Sequence, residues 1–400
     1  MRKNFLFFCI LLSVILLLLC FTFDPLFAAT YIVNTTSDDV TMEGSLRNAI
    51  SKAGDGDIIS FDLPYPSVIK LKGNLLDINR NITIQGPGAD KLSISGEGKS
   101  RVFNLSRNSL AEVLSPIVIS GLTIMNGYSS SGGGIFCDYA ATGSTKPITL
   151  RECIIRDNCA EQEGAGLYSQ GNNIKVLGCT FKNNGDGENP AEGGGIYSYL
   201  NNITIINCTF FGNSALRGGA IFNSETLTLH GADNIMNCTF TENQGGALTN
   251  VANSPTISNC ILWENPPQEI VNVNSTPFLD HCVVTHGFID IGKGSTYSVL
   301  IKADPLLGPL ANYGSIETCS LGTSSSAIDS GISLEAVTTD QRGVPRPQGA
   351  NYDIGAFEKE NYITLGDHKE IDGGSGCSIG IFGPSMLLLI APLLLLVKKE

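Results

Sequence analysis

A phrase that returns at a near-constant interval constrains this chain more than any other feature. Cys-Thr-Phe-x-x-Asn occurs with its cysteine at Cys179, Cys208 and Cys238, led by Asn at the last two and by Gly178 at the first, closing on Asn184, Asn213 and Asn243, and looser copies begin at Cys153, Cys260 and Cys282. Glycine phrases interleave with them: Gly132-Gly133-Gly134-Ile135, Gly164-Ala165-Gly166-Leu167, Gly193-Gly194-Gly195-Ile196, Gly218-Gly219-Ala220-Ile221 and Gly245-Gly246-Ala247-Leu248. Successive cysteines lie about 22 to 30 residues apart, the interval of a solenoid turn, so one supersecondary unit is being stacked.

The filling of each period decides which solenoid. Short β-branched and aromatic runs such as Ile203-Thr204-Ile205 and Thr226-Leu227-Thr228-Leu229 are cut by Asn and Gly where the chain must turn. No helix of useful length fits between them. The expected class is therefore all-β, a right-handed parallel β-helix with three short sheets around one narrow core.

Within a turn, Cys208 and Phe210 lie two apart and share the inward face of a strand, as do Cys179 with Phe181 and Cys238 with Phe240. Leu122 and Ile124 fill the same slots in an earlier turn, which marks Cys153, Cys179, Cys208, Cys238, Cys260 and Cys282 as a ladder of buried thiols. The rival readings are a row of disulfides, which export permits, or a metal site, which would need a tighter Cys/His cluster. Cys137 and Cys159 stand outside the ladder and are the expected disulfide partners. Asn207, Asn237 and Asn259 precede the inward cysteines at a corner, where Asn tolerates left-handed backbone. Asn202, Asn207 and Asn237 also match the N-glycosylation pattern, discounted because corner side chains are expected to run along the stack.

The ends read as export and anchoring. Arg2 and Lys3 precede an apolar run to Phe23, and Phe27-Ala28-Ala29 offers cleavage after Ala29, giving a signal peptide over 1–29. A cap over 30–66 follows, in which Gly44 to Gly54 reads as a short amphipathic helix capped by Gly44 or Ser45 and stopped by Gly54. Repeats occupy 67–308, a closing region 309–358 and a polar, glycine-rich linker 359–376. Residues 377–400 carry an apolar run from Ile379 to Val397 before Lys398 and Lys399, long enough for a single transmembrane helix.

These stretches resemble known families. Gly44 to Ile50, with Asp55 to Asp62, is similar to the N-terminal cap of bacterial secreted right-handed β-helix proteins, and Asn81 to Ala89 to their first turns. The repeats resemble the FxxN and GGA(I/L) motifs of polymorphic outer-membrane proteins, which are autotransporter adhesins, although no series of alternating strands for a transporter barrel follows. Asp304 to Leu310, Ala327 to Gly331, Thr339 to Pro347 and Tyr352 to Glu358 resemble the choice-of-anchor Q domain. Gly373, Gly374, Gly376 and Cys377 ahead of the apolar run resemble Synerg-CTERM and GlyGly-CTERM sorting signals. That resemblance implies a sorting protease, transient membrane anchoring and delivery to the cell surface or outer envelope.

The chemistry is sparse. Formal net charge is −13, and an acidic surface disfavours nucleic acid while suiting neutral partners, or acidic ones bridged by calcium; no cofactor is otherwise implied. Nucleophile-elbow, Walker, Rossmann and HExxH patterns are absent, and His230, His281, His286 and His368 are scattered. Asp329, Asp340, Arg342 and Asp353 could form a catalytic or calcium cluster, but they lie among Gly and Pro turns, where charges usually tie loops together, and that is the expected role. Glu161, Glu163, Asp186, Glu188 and Glu192 form an acidic set, with Asp186, Glu188 and Glu192 in one polar loop. The expected function is a non-catalytic, adhesin-like or glycan-binding surface rod, with glycans or a host or neighbouring cell surface as partners and Tyr128, Tyr139, Tyr199 and Trp263 as sugar-stacking candidates. The alternative is a surface-retained polysaccharide lyase or glycoside hydrolase using Asp186, Glu188 and Glu192, which carboxylates converging near Arg151, Arg156 or Arg217 would favour.

Overall fold

A computed structural model describes residues 28–105, 116–138, 148–171, 173–185, 192–199, 202–225, 233–287 and 291–360. The leader before Ala28, Tyr139, Asp186, Glu188, the strand expected at Thr226 to Leu229, His230, His368 and the tail with Gly373, Gly374, Gly376, Cys377, Lys398 and Lys399 lie outside them. No helix of the described residues is long and apolar enough to cross a membrane.

Three sheets, parallel throughout, run the length of the coil. Among the described residues the first has 11 strands, from Thr30–Val33 to Thr296–Tyr297; the second has 10, from Ser67–Lys70 to Leu300–Ile301; the third has 8, from Leu76–Ile78 to Ile270–Val273. The chain visits them in that order, turn after turn. Like residues stack in register: Leu150 lies beside Ile119 and Val176, and Ile205 beside Val176 and Ile235, all buried. Strand alternation sends every second side chain into this column, and a slip of one residue would turn the whole set to solvent. The coil begins ahead of Ser67, because Thr30–Val33 already pairs in parallel with Ile58–Phe61.

Corners explain the asparagines. Between the first and second sheets, Glu152, Asn207, Asn237, Asn259 and His281 all have φ between 49° and 52°, and Gly121 and Gly178 hold the equivalent places. Between the second and third, Asn126, Asp157, Asn183, Glu242, Glu264 and His286 fall between 51° and 59°, with Gly212 at 62°. Each corner demands the left-handed conformation, which Gly and Asn adopt at least cost.

The closing Asn of the repeated phrase has a different task. Asn158, Asn184, Asn213, Asn243 and Asn265 form a buried ladder just past the second corner. Asn184 Oδ1 accepts from Asn158 N (3.2 Å) and Nδ2 (3.0 Å), and Asn184 Nδ2 donates on to Asn213 Oδ1 (2.9 Å) and back to the Ile155 carbonyl (2.9 Å). Asn213, Asn243 and Asn265 repeat this scheme. Buried Glu269 ends it by accepting from Asn265 Nδ2 at 2.6 Å. Buried amides are thereby satisfied in a place where water cannot reach. Beside them Phe181, Phe210 and Phe240 stack with centroids 5.0 and 4.8 Å apart.

Helix Leu46–Lys52 covers the N-terminal end, where Leu46 and Ala49 extend the core. Ser45 Oγ caps it, accepting from Asn48 N at 3.1 Å. The stop falls at Ala53, in extended backbone, one residue before the expected Gly54.

The closing region does not sit on the far end of the coil. After an antiparallel hairpin, Leu307–Asn312 with Glu317–Leu321, the chain folds back as a strap along the second sheet. Gln341 Nε2 donates to Cys179 O (3.2 Å) and Thr180 Oγ1 (2.9 Å), Thr209 Oγ1 donates to Gln341 Oε1 (2.6 Å), and Ala356 N donates to Thr239 Oγ1 (3.0 Å). The corner asparagines reach outward to it: Asn207 Nδ2 donates to Thr339 O (2.7 Å), Asn237 Nδ2 to Asp353 O (3.3 Å) and Asn259 Nδ2 to Ile332 O (2.7 Å), while one bond also runs along the stack, from Asn259 Nδ2 to Asn237 Oδ1 (3.4 Å). Ile261 adds a hydrophobic seam with Ala327, Ile354 and Phe357.

The strap is stitched internally by charge. Arg346 and Glu358 pair at 2.7 Å with both side chains fully buried, and Asp340 accepts from Arg342 Nε (2.8 Å) and from the backbone of Arg342, Val344 and Glu358. Asp329 Oδ1 accepts from Asn351 N at 3.0 Å, and Asp353 accepts from the backbone of Asp329 (2.8 Å) and Lys359 (2.7 Å). Burial nevertheless pushes the Asp353 carboxyl up to about 6. With the folded value above that of the unfolded chain, the charged form costs stability, so stability is expected to fall as pH rises from about 4 to 6.5. Asp353→Asn should flatten that slope in thermal melts across this range, whereas an unchanged slope would assign it to other groups.

Candidate functional site: a groove between the second sheet and the hairpin

Outward positions of the second sheet form a register column of Met125, Arg156, Lys182, Phe211, Thr241 and Trp263. The hairpin stands off from this face and leaves a groove of ≈ 680 Å³, within the range of small-ligand sites. Phe211, Thr241 and Trp263 line the sheet side, and Leu306 to Leu310 the hairpin side. Three exposed carboxylates complete the lining: Glu242, Glu264 and Asp304. Glu242 and Glu264 occupy the same corner position on successive turns, one strand spacing of ~4.8 Å apart in the backbone. Asp304 is oriented by Leu306 N, which donates to its Oδ1 at 2.7 Å.

Lys182, the cation of the groove lining, is engaged by Glu317 at 2.6 Å. Cys319 also lines the groove, but burial pushes its thiol up to about 12, with Glu242 adding to the effect, so it stays protonated and a poor nucleophile. Indole and phenyl surface next to carboxylates suits a ring with an apolar face and hydroxyl edges.

The acidic set singled out in the sequence lies elsewhere. Glu161 accepts from Tyr128 Oη (2.6 Å), Glu163 from Ser131 Oγ (2.6 Å), and Glu192 is ion-paired with Arg217. Glu163, Glu192 and Arg217 are register neighbours in one short column past the second corner. Two carboxylates do meet near Arg217, but that guanidinium is already shared between Glu192 and the Phe222 ring, 5.1 Å away. Arg156 is paired with Asp157, and His281 with Asp280 at 2.8 Å.

An aromatic ladder escaped the sequence reading. Phe136, Tyr168, Tyr197 and Phe222 stack on the outer face of the third sheet with centroids 4.8 to 5.3 Å apart. Its signal was present: each follows the Ile or Leu that closes a glycine phrase, so alternation turns it outward. Ring faces are consumed by their neighbours, and Arg101 covers the Phe136 end at 4.2 Å. The ladder therefore cements the coil and offers no free ring face to a sugar. Of the stacking candidates, Trp263 lines the groove, Tyr128 is engaged by Glu161, and Tyr199 lies opposite Gln170 in the third sheet.

The thiol ladder lies in the core. Cys153, Cys179, Cys208, Cys238, Cys260 and Cys282 are fully buried, and Cys179 N donates to Cys208 Sγ (3.3 Å) as Cys208 N does to Cys238 Sγ (3.4 Å). Burial pushes the thiols of Cys153, Cys179, Cys208 and Cys238 well above the ordinary range, which withholds the thiolate needed to attack or ligate. The disulfide expected between Cys137 and Cys159 does not form. Cys137 points inward from the third sheet, while Cys159 belongs to a separate two-stranded ladder with Tyr128–Ser131.

Taken together, three parallel sheets coiled around a single core define a right-handed parallel β-helix. The family model for a right handed beta helix region matches residues 104–289. Among solved structures, the chain is similar to pectate lyase Pel9A, at 12% identity and a TM-score of 0.45, over 83% of this chain and 96% of that one. It is also similar to ORF18 of Geobacillus virus E2, at 14% identity and a TM-score of 0.41, over 68% of this chain and 58% of that one. Comparison with curated proteins gives no match.

Proposed function

We propose that this protein is an exported β-helix held at the cell surface that binds glycans without turning them over, with the saccharide seated in the groove at Trp263. The observation carrying this reading is the alignment of Phe211 and Trp263 with the exposed carboxylates Glu242, Glu264 and Asp304 along one open groove. Rings supply stacking surface, carboxylates accept from hydroxyls, and the regular coil sets successive contacts ~4.8 Å apart along an extended chain. The adhesin-like role and the surface location rest on the resemblance of the repeats and of the tail.

Retention on a panel of immobilised polysaccharides tests it. Trp263→Ala is expected to weaken retention about tenfold, the loss of ~1.4 kcal/mol, with no oligosaccharide released by either form. Equal retention by wild type and variant would remove the groove from consideration. A second reading, a polysaccharide lyase or hydrolase, is favoured by the placement of Glu242 and Glu264 on successive turns. Release of product that stops in Glu242→Gln or Glu264→Gln would establish it in place of the first.

A further inference from the structure

We infer that the corner between the third and first sheets is a calcium site, built from Asp233, Glu225 and the side-chain oxygens of Asn223 and Asn250. It shares no residue with the groove and stands independently of the glycan reading.

Asp233 is almost completely buried, and its carboxylate accepts from Ile203 N (2.8 Å), Asn223 Nδ2 (2.5 Å) and Asn253 Nδ2 (3.0 Å). Among the described residues no cationic side chain pairs with it. A second carboxylate is adjacent, because Asn253 Nδ2 also reaches Glu225 Oε2 at 3.4 Å. Two acids thus share one amide donor, with no cationic side chain among the described residues between them. Burial pushes the Asp233 carboxyl up to about 6 despite its three hydrogen bonds, and Glu225 adds to the rise.

The second observation is independent of the acids. Asn223 Oδ1, Asn250 Oδ1 and Glu225 Oε1 are buried oxygens without a donor, on residues 2% exposed for Asn223 and 1% for Asn250. Asn223 and Asn250 are register partners on adjacent strands. Since Asn223 Nδ2 touches Asp233, the oxygen of the same amide is held within about 5 Å of that carboxylate by covalent geometry. Among the described residues acceptors outnumber donors here, and three buried oxygens stay without one, a pattern that costs stability unless a cation or water occupies the space.

Oxygen ligands from carboxylates and amides, set by a corner rather than by an octahedral cage, fit calcium better than magnesium. Among the described residues no three acidic, His or Cys side chains gather, so the site is a mixed carboxylate–amide one of modest charge. An affinity near ~1 mM, as in extracellular modules, is the expected scale.

The test is calorimetric titration of the protein, stripped with EGTA, with CaCl2 and separately MgCl2, alongside thermal melts. One calcium per chain, a melting temperature that rises with calcium, and a weaker magnesium response are expected. Glu225→Gln keeps shape and hydrogen bonding, so its calcium-free melting temperature should match wild type while calcium affinity falls at least tenfold. Asp233→Asn should lose binding altogether. Absence of binding by wild type at ~10 mM calcium, well above that scale, would overturn the site and leave water as its occupant, as would affinity unchanged in a folded Glu225→Gln.

Discussion

Glu358→Ala is expected to lower the free energy of unfolding by about 3 to 5 kcal/mol, the usual cost of leaving one member of a buried ion pair alone. Glu358 Oε2 accepts from Arg346 Nη1 (2.7 Å) and Asp353 N (2.9 Å), and Oε1 accepts from Gln348 N (2.8 Å). After truncation the guanidinium keeps the carbonyls of Asp353 and Gly355 (2.8 and 2.7 Å) but loses its hydrogen-bonded carboxylate, with Asp340 and Asp353 left as its nearby negative charges. Denaturant titration measures the loss, and limited proteolysis should show cleavage within 322–360 before the coil is cut. The double variant Arg346→Met with Glu358→Leu removes the lone charge but leaves the Asp353 and Gln348 amides and the Asp353 and Gly355 carbonyls without these partners, so it should recover part of the stability and not all of it. A Glu358→Ala protein as stable as wild type would mean that the pair contributes nothing to holding the strap.

A comparable loss, on the order of 3 to 5 kcal/mol, is expected for Asn213→Ala in the middle of the amide ladder. Asn184 N (3.1 Å) and Asn184 Nδ2 (2.9 Å) both lose the Asn213 Oδ1 acceptor, and the Phe181 carbonyl and Asn243 Oδ1 each lose a donor. Each buried group left unsatisfied costs roughly 1 to 3 kcal/mol. Asn158→Ala, at the end of the ladder, should cost about three quarters as much, since three hydrogen bonds are lost there against four: from Gly127 N (2.9 Å) and to the Ile124 carbonyl (3.1 Å) and Asn184 Oδ1 (3.0 Å). Equal penalties at both positions would argue against the ladder acting as a connected unit. Denaturant midpoints of the two variants decide between these outcomes.

The coil was legible because its determinants are local and repeated. Alternation in Cys-Thr-Phe fixes which side chains face inward, and Asn or Gly before the cysteine marks a left-handed corner, so a few residues suffice to place a turn. The pairing of Glu192 with Arg217 could have been read the same way, since 25 residues separate them, close to one turn. The strap was not legible. Thr209 and Gln341 meet across 132 residues, and no periodicity links a threonine in a repeat to a glutamine in a Pro-rich stretch. The groove shared this fate, because its sheet wall repeats and its hairpin wall does not. Glu242 and Glu264 look like ordinary corner residues until Leu306 and its neighbours are set opposite them. The aromatic ladder failed for another reason: the alternation that located the core was not followed to its outward half.

The strap also acts as a gauge. Solenoids tolerate duplication or loss of a repeat, since each coil touches only its neighbours. Here Gln341, Asp353, Ala356 and Ile332 dock at fixed intervals on Cys179, Asn237, Thr239 and Asn259. Inserting one coil inside that span would displace half of the docking points by ~4.8 Å, beyond the reach of any hydrogen bond made at the others. Within those turns the number of repeats is set by the segment lying across them, so length variation among natural variants of such a chain should collect on the N-terminal side of Cys179.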